Sequence, residues 1–471
     1  MSEAKAMERP LTKNFQPDGE PLSLADYERA GGYQALRKVL GQMEPKQVTE
    51  LVTEADLRGR GGAGFPTGPK WSFVPLGEGF HRPVYQSPTR KEVPGMVGSG
   101  RGGLAMPVAT EWRYTSLPEE ALSHTYLVCN ADEMEPGTFK DRFLMEGDPH
   151  QLIEGMLIAA YAIKADIGYI FLRWAYKKPG ARMRKALDEA YQAGYLGQNI
   201  LGSEFSFELF LHMGAGRYMC GEETGLLNSL EGRRANPRTK PPFPQTSGLW
   251  GKPTIVNNVE TLCCLPHILN NGAHWFKSIS LSDEGGTKIY GVSGKVKRPG
   301  VWELPLGITF RELIEEYAGG MREGLRFRGA LPGGASTDFL VEEHLDIKMD
   351  FSSVQAAGSR LGTGTAVVLD DQTCPVGFVH NLEAFFAQES CGWCTPCREG
   401  LPWTARVLKA MEEGDGLPGD IEKLVMHTKF LGPGLTFCAL APGAMEPLQS
   451  AIKYFREDFE RHIREKRCPW R

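Results

Sequence analysis

The sequence has no long hydrophobic run. Its longest, Leu152 to Ile163, carries Glu154 and is too short to span a bilayer, so any membrane association is expected to go through a partner. The stretch from Met1 to Pro21 is polar, holds charges of both signs and has no apolar core of the kind a secretory signal needs. Basic residues are not in excess. Lys and Arg total 53 against 58 Asp and Glu, a formal net charge of −5, which argues against a nucleic-acid footprint. Neither G-x-S-x-G nor H-E-x-x-H occurs, so the usual hydrolytic signatures are missing. The 10 cysteines form no regular secreted framework. With no leader apparent, a reducing cytoplasm is the expected home, where clustered cysteines mean metal or redox work.

The cysteines that do cluster are the strongest signal. Cys391, Cys394 and Cys397 read C-x-x-C-x-x-C, and Cys438 follows within Leu435-Thr436-Phe437-Cys438. A short loop can wrap three corners of a cubane [4Fe–4S] cluster and a distant fourth thiolate can close it. Zinc is the rival, since tetrahedral Cys₄ sites also use C-x-x-C, although two separated pairs are their commoner form. Unligated thiols are the third reading. Cys129, Cys220, Cys263, Cys264, Cys374 and Cys468 lack ligand spacing and read as structural thiols.

The chain of 471 residues has room for two to four domains. Residues 24–57 read as helices, one opening at Leu24 and another at Glu44-Pro45. Next, Gly59, Arg60, Gly61, Gly62 and Gly64 form a glycine-rich loop that lets backbone N–H groups approach an anion closely. Arg60 and Lys70 add cationic donors, and Phe65, Trp71 and Phe73 add aromatic faces; a flexible surface turn is the plain alternative. Residues 77–124 have no periodicity and read as a surface excursion. Tyr126 to Cys129 is a short strand running into an acidic turn with Asn130, Asp132, Glu133 and Glu135, where open α/β sheets place ligand groups. Asp148-Pro149 starts a helix to about Ile163, Gly168 to Trp174 is a strand, Pro179 to Ala193 a helix, and Phe205 to Leu211 a third strand. Strand and helix alternate, so a parallel, Rossmann-like sheet is expected.

After the third strand, Gly214, Gly216 and Gly221 read G-x-G-x-x-x-x-G, not the dinucleotide fingerprint G-x-G-x-x-G. A standard Rossmann NAD site is therefore not expected. A flavin mononucleotide phosphate with a separately built NADH site fits better, and an ordinary strand–helix turn is the alternative. Residues 232–262 are rich in Arg, Asn and Pro. There Asn257, Asn258 and Thr261 have the chemistry to hydrogen-bond a flavin, or they belong to a connecting loop. From Gly286 a hairpin around Arg298-Pro299-Gly300, a capping box at Thr309–Glu312, an apolar helical face (Phe310, Leu313, Ile314, Tyr317) and further strands predict a small β-grasp domain with no chemistry of its own. Four helices, roughly 377–389, 400–413, 418–430 and 443–465, predict a bundle with the cysteine triplet between the first two. The expected divisions are 1–55, 56–280 with its excursion, 281–374 and 375–471. The fold class is α/β plus α+β, with a helical bundle.

Together these stretches resemble the NADH-binding flavoprotein of bacterial respiratory complex I, the NADH:quinone oxidoreductase-F family, from about residue 24 to 465. The segment 77–124 has no counterpart in that pattern. The resemblance implies a Rossmann-like FMN and NADH domain, a β-grasp domain and a helical domain carrying a [4Fe–4S] cluster on Cys391, Cys394, Cys397 and Cys438. It implies that Gly59–Gly64 with Lys70 binds FMN and lines the NADH site, and that Asn130, Asp132 and Glu133 hydrogen-bond the flavin. It places Tyr218, Gly221, Glu222 and Glu223 beside flavin and nicotinamide, and Asn257, Asn258 and Thr261 on the flavin's phosphate side. Phe65, Phe73 and Phe243 would hold the adenine of NADH, with Glu135 at its ribose or nicotinamide. No side-chain nucleophile is implied. NADH would give a hydride to FMN, which can pass electrons singly to the cluster. The implied partners are a [2Fe–2S] thioredoxin-like subunit and a large multi-cluster subunit, at the cytoplasmic face of the inner membrane. The diaphorase subunit of an NAD-linked soluble hydrogenase or formate dehydrogenase shares these motifs and is the alternative. A zinc-stapled scaffold is a third reading, and it leaves the three ligand-like loops without a purpose.

Overall fold

The structure is a computed structural model that describes residues 7–75 and 124–471. The expected excursion at 77–124 therefore lies, except for His124, outside the described residues.

The first sheet has four parallel strands, β1 (Tyr126–Ala131), β2 (Ile167–Leu172), β3 (Glu208–Met213) and β4 (Thr254–Asn258), in the order β3-β2-β1-β4. The strand order reverses between β1 and β4, and ligands of open α/β sheets bind at such a switch point, at the carboxyl ends of the strands. β3 begins later than the sequence suggests. Phe205 and Phe207 are buried and stack on each other, so their rings join the core while the ladder starts at Glu208. The helix Pro149–Ala162 starts as expected, with the Asp148 carboxylate accepting from Gln151 N–H. Its Glu154 is buried inside the apolar run because it works as a receptor. It accepts from Tyr27 O–H (2.7 Å) and from the N–H groups of Tyr33 (2.8 Å) and Leu36 (3.2 Å), so the N-terminal helices pack into the core of the first sheet. Those helices are three, Leu24–Arg29, Gln34–Gln42 and Pro45–Glu54, where the sequence suggested two starts.

The second sheet has the strands β5 (Thr287–Gly294), β6 (Gly300–Pro305), β7 (Phe327–Leu331) and β8 (Thr365–Asp370), in the order β6-β5-β8-β7. β5 and β6 form the expected hairpin, β8 runs parallel to β5, and β7 runs antiparallel to β8. The capping box forms: Thr309 N–H donates to Glu312 Oε2 (2.7 Å) and Glu312 N–H to Thr309 Oγ1 (3.1 Å). The helix it opens winds wider than an α-helix over Glu312–Tyr317.

Four helices complete the chain: Pro375–Glu389, Thr395–Glu413, Asp420–Phe430 and Leu440–Glu465. The second starts earlier than expected because Pro396 occupies its first turn, where a missing N–H costs nothing. Cys391 and Cys394 thus precede the helix, and Cys397 lies inside its first turn. No helix among the described residues is long and apolar enough to cross a membrane.

Candidate functional site

The switch point brings three separate segments together. Cys129 pairs with Asn257 and Asn130 with Asn258, so the ends of β1 and β4 place the acidic turn beside the asparagine pair. Asn258 caps the helix Val259–Cys263, and Asn130 Nδ2 donates to Gly221 O (2.9 Å), tying in the turn after β3. The glycine loop closes on itself through Gly59 N–H to Phe65 O (2.9 Å), and it hangs from the sheet by Arg60 N–H to Thr261 Oγ1 (2.8 Å). A Cβ at Gly61 would lie 3.0 Å from Asn258 Cβ, so the loop runs close against the asparagine. Between these segments is a cleft enclosing about 1110 Å³, part of it open to solvent.

Charge is concentrated under the cleft. Lys140 is fully buried and pairs with Asp141 (2.6 Å) and Glu260 (2.8 Å), and Glu260 also pairs with buried Lys288 (3.2 Å). Burial opposes Lys140's charge, but Asp141, Glu260 and Glu133 outweigh it and hold its pKa above the ordinary value. Burial pushes the Asp132 carboxyl up to about 7, against the pull of Arg173. It pushes Glu133 up to about 7 as well, helped by Asp141. Glu135 is raised by burial too, and its carboxylate accepts from Tyr218 O–H (2.6 Å) and Ser336 N–H (2.6 Å).

Next to the cleft lies a second, smaller cavity. Cys391, Cys394, Cys397 and Cys438 all line it, together with Trp393 and Phe437. Burial raises the Cys397 thiol to about 11 and the Cys438 thiol to about 12, and the neighbouring cysteines add to both shifts. Four thiols around one cavity are a donor set that a cationic metal centre would complete. Around a single zinc ion four sulfurs would stand about 3.8 Å apart, from Zn–S bonds of about 2.3 Å. Among the described residues one group of ligand atoms gathers within 4.8 Å, and it is a different one.

Comparison with known proteins agrees with this geometry. The family model described as the Nuo51 FMN-binding domain matches residues 95–267, that of the NADH-ubiquinone oxidoreductase-F iron-sulfur binding region matches 377–462, and an SLBB domain matches 289–339. The chain is 55% identical over 456 residues to the NADH-quinone oxidoreductase F subunit of Salmonella typhimurium, covering 97% of this chain and 93% of that protein. The Escherichia coli (strain K12) protein of the same name gives the same figures. The chain belongs to the NADH-quinone oxidoreductase-F family. Among solved structures, the NAD+-reducing [NiFe]-hydrogenase in its air-oxidised state is similar at a TM-score of 0.75 and 30% identity, over 94% of this chain and 67% of that one.

Within this member of the oxidoreductase-F family, the expected site residues divide into three groups. Gly61, Gly62, Asn130, Asp132, Glu133 and Glu135 line the cleft, and so do Tyr218, Gly221, Glu222 and Asn258. A second group braces it. Lys70 donates to Glu223 (3.1 Å) and Val256 O (2.9 Å), Asn257 Oδ1 accepts from Trp71 Nε1 (2.9 Å), and Thr261 holds the glycine loop. Glu222 caps the helix Glu223–Leu230 and pairs with Lys240 (3.0 Å), so its carboxylate is largely committed. Glu133 is committed too, accepting from Asp141 N–H (2.8 Å) and Tyr176 O–H (2.8 Å). A third group lies elsewhere. The Arg60 guanidinium, expected to meet an anion, is buried and donates to Gly285 O (2.8 Å). Phe65, Phe73 and Phe243 stand about half exposed, with Phe65 and Phe73 ring centroids 6.5 Å apart.

The expectation that the small domain carries no chemistry is corrected. Its glycine-rich turns supply Gly333, Ser336, Arg360, Gly362 and Thr363 to the cleft wall. A Cβ at Gly333 would come within 2.2 Å of Leu361 O, so the two turns interlock. Both turns are glycine-rich like the first glycine loop, a signal that is present in the sequence. The cleft fits a flavin nucleotide on two further observations. Both carboxylate oxygens of Asp132 are buried without a hydrogen-bond partner, and Gly61, Gly62, Gly221, Gly333 and Gly362 line the cleft without side chains. An unpaired buried acceptor of this kind is costly unless a ligand donor meets it.

Proposed function

We propose that this chain is the electron-input component of an NADH:quinone oxidoreductase, oxidising NADH at the cleft and passing electrons through the cysteine cavity. One observation carries the reading: Met219 and Leu440 line both the cleft and the cysteine cavity, so two side chains separate the sites. Bound FMN would supply the conversion of a two-electron hydride into single electrons, and a [4Fe–4S] cluster on the four cysteines would carry them onward.

The protein's part is positioning. Gly59–Gly64 and Lys70, with Asn257, Asn258 and Thr261, would hold FMN, and Asn130 and Asp132 would orient its ring. Glu135 and Tyr218 form one hydrogen-bonded pair at the wall where the nicotinamide would dock. Phe65, Phe73 and Phe243 offer exposed faces for adenine. The dividing turn is held firmly. Tyr218 N–H donates to Glu389 Oε2 (3.1 Å), and the Tyr218 ring meets Phe385 and Phe386 edge-on, fixing Met219 against the helix that leads to Cys391. Onward partners would be a [2Fe–2S] thioredoxin-like subunit and a large multi-cluster subunit, with the assembly on the cytoplasmic face of the inner membrane. The greater identity to the quinone-linked relatives, 55% against 30% for the hydrogenase chain, favours this reading over a hydrogenase diaphorase.

The test is an anaerobic visible spectrum of purified protein before and after NADH, with iron, sulfide and zinc assays. Flavin absorbance that bleaches with NADH, with about four irons per chain, is the expected result. A colourless protein would overturn the reading, and colour without bleaching would overturn the nicotinamide assignment.

A further inference from the structure

The group of ligand atoms that gathers within 4.8 Å is Cys374, Glu412, His462 and Cys468. It comes from four places in the helical domain. Cys374 caps the helix Pro375–Glu389, Glu412 is near the end of Thr395–Glu413, His462 is in the last turns of Leu440–Glu465, and Cys468 lies just beyond. We propose that these four residues bind a structural zinc ion, independent of the cysteine cavity. The sequence alone suggests plain structural thiols for Cys374 and Cys468, because 94 positions separate them (468 − 374).

The geometry is already close to a coordination shell. Cys374 Sγ is 2.9 Å from Glu412 Oε1 and 3.3 Å from His462 Nε2, and these last two atoms are 3.0 Å apart. Tetrahedral zinc with bonds of about 2.0–2.3 Å spaces its donors roughly 3.3–3.8 Å apart, so a small outward relaxation admits the ion. Two thiolates, an imidazole and a carboxylate suit a borderline cation; calcium and magnesium prefer all-oxygen shells.

The surroundings orient the ligands as a metal site requires. His462 Nδ1 is 2.6 Å from Asp458 O, one helical turn back. That carbonyl can only accept, so Nδ1 carries a proton and Nε2 is the nitrogen turned to the other three groups. Nε2 and Glu412 Oε1 are 3.0 Å apart, a spacing that a shared proton or a bound cation would bridge. Glu412, His462 and Cys468 are buried, and Cys374 is half-buried. Trp470 stacks on the His462 ring at 5.8 Å, and Arg471 pairs with the other Glu412 oxygen at 3.0 Å. Such a closed shell marks a structural site, whereas a catalytic one keeps an open position. Cys374 stands at the opposite end of a 15-residue helix from the cysteine triplet, roughly 22 Å away at 1.5 Å per residue. Zinc there would pin the ends of three helices to the C-terminal tail.

The experiment measures zinc in the purified holoprotein, with X-ray absorption at the zinc edge, beside Cys374→Ser and Cys468→Ser. The expected result is about one zinc per chain with two sulfurs near 2.3 Å and two N/O donors near 2.0–2.1 Å. Zinc should be lost in both variants while FMN and iron stay. Three results would overturn the proposal: no zinc even after exposure to Zn²⁺, which leaves a protonated histidine–carboxylate cluster; a four-sulfur shell, which puts zinc on the cluster cysteines; or zinc unchanged in both variants. Should the variants fail to fold, the wild-type shell still decides between two sulfurs and four.

Discussion

Glu260 is the keystone of the charges under the cleft, and Glu260→Gln tests that role. The amide keeps the shape and still accepts the Ile289 N–H (2.8 Å), but it removes the charge that faces Lys140 and Lys288. Burial opposes ionisation of Glu260, yet Lys140, Lys288 and Arg60 together hold its carboxyl below the ordinary value. For Lys288, burial pushes the pKa down to about 8, and Glu260 is what resists that push against Lys140 and Arg60. Without Glu260, Lys288 should shed its proton in the fold at pH 7. Relative to a wild-type pKa of about 8, that costs about 1.4 kcal/mol. Lys140 keeps Asp141 but loses its other carboxylate, on the order of 1–2 kcal/mol. The sum is about 3 kcal/mol, at the low end for breaking a buried ion pair. The pH dependence gives a sharper check. Between about 8 and the ordinary 10.5 the unfolded chain holds the lysine proton and the fold does not, so wild-type stability rises with pH across that window. Below about 8 the Lys288 part of the mutational loss grows as the pH falls; above it Lys288 is neutral in both folds and that part vanishes. Urea unfolding at pH 7 and pH 9.5 should show the loss shrinking to roughly 1–2 kcal/mol. A loss below about 1 kcal/mol at pH 7, or one that ignores pH, would refute the reasoning. So would a Glu260→Gln/Lys288→Met double variant no more stable than Glu260→Gln.

Three shorter predictions concern the two cavities. Gly64 has φ +66° and a Cβ there would lie 2.6 Å from the Phe351 ring, so Gly64→Ala should cost about 2 kcal/mol and lower the flavin content of the purified protein. Cys397→Ser should leave flavin bleaching by NADH intact while iron falls well below the wild-type content, measured on the same sample. Asp132→Asn should stabilise the flavin-free protein by roughly 2 kcal/mol more at pH 8 than at pH 5. Burial raises Asp132 from 3.8 to about 7, so across that window the fold holds a proton that the unfolded chain has lost. Stability therefore falls as pH rises, and the penalty is full above 7. Thermal unfolding at the two pH values reads the gain, and a flavin titration should show weaker binding.

What the sequence made legible was local. The cysteine triplet, the Asp148 cap, the Thr309–Glu312 box and the acidic turn after β1 each announce themselves within a few residues, because capping, ligation and strand ends are short-range chemistry. The asparagine pair at 257–258 needed the sheet order to become a site, and alternation of strands and helices supplied most of that order. Three things were not legible. Arg60 looks like an anion donor on composition, but the direction of its side chain depends on where Gly285 comes to rest. Ser336, Arg360 and Thr363 belong to turns whose use depends on how the second sheet docks against the first. Lys140, Glu260 and Lys288 are ordinary residues in the chain, and only folding makes them one charged knot.

The cleft takes its walls from all three parts of the chain: the glycine loop and strand ends, the interlocked turns at Gly333 and Gly362, and Leu440 of the helical domain. No part owns the cleft by itself, so it comes into being only when the parts have docked. Docking and flavin binding are therefore coupled. A ligand that binds only the docked form also holds it together by mass action. Flavin absorbance in such a chain would report on its assembly: a molecule that has failed to bring its three parts together would lack it, whatever iron its helical domain holds.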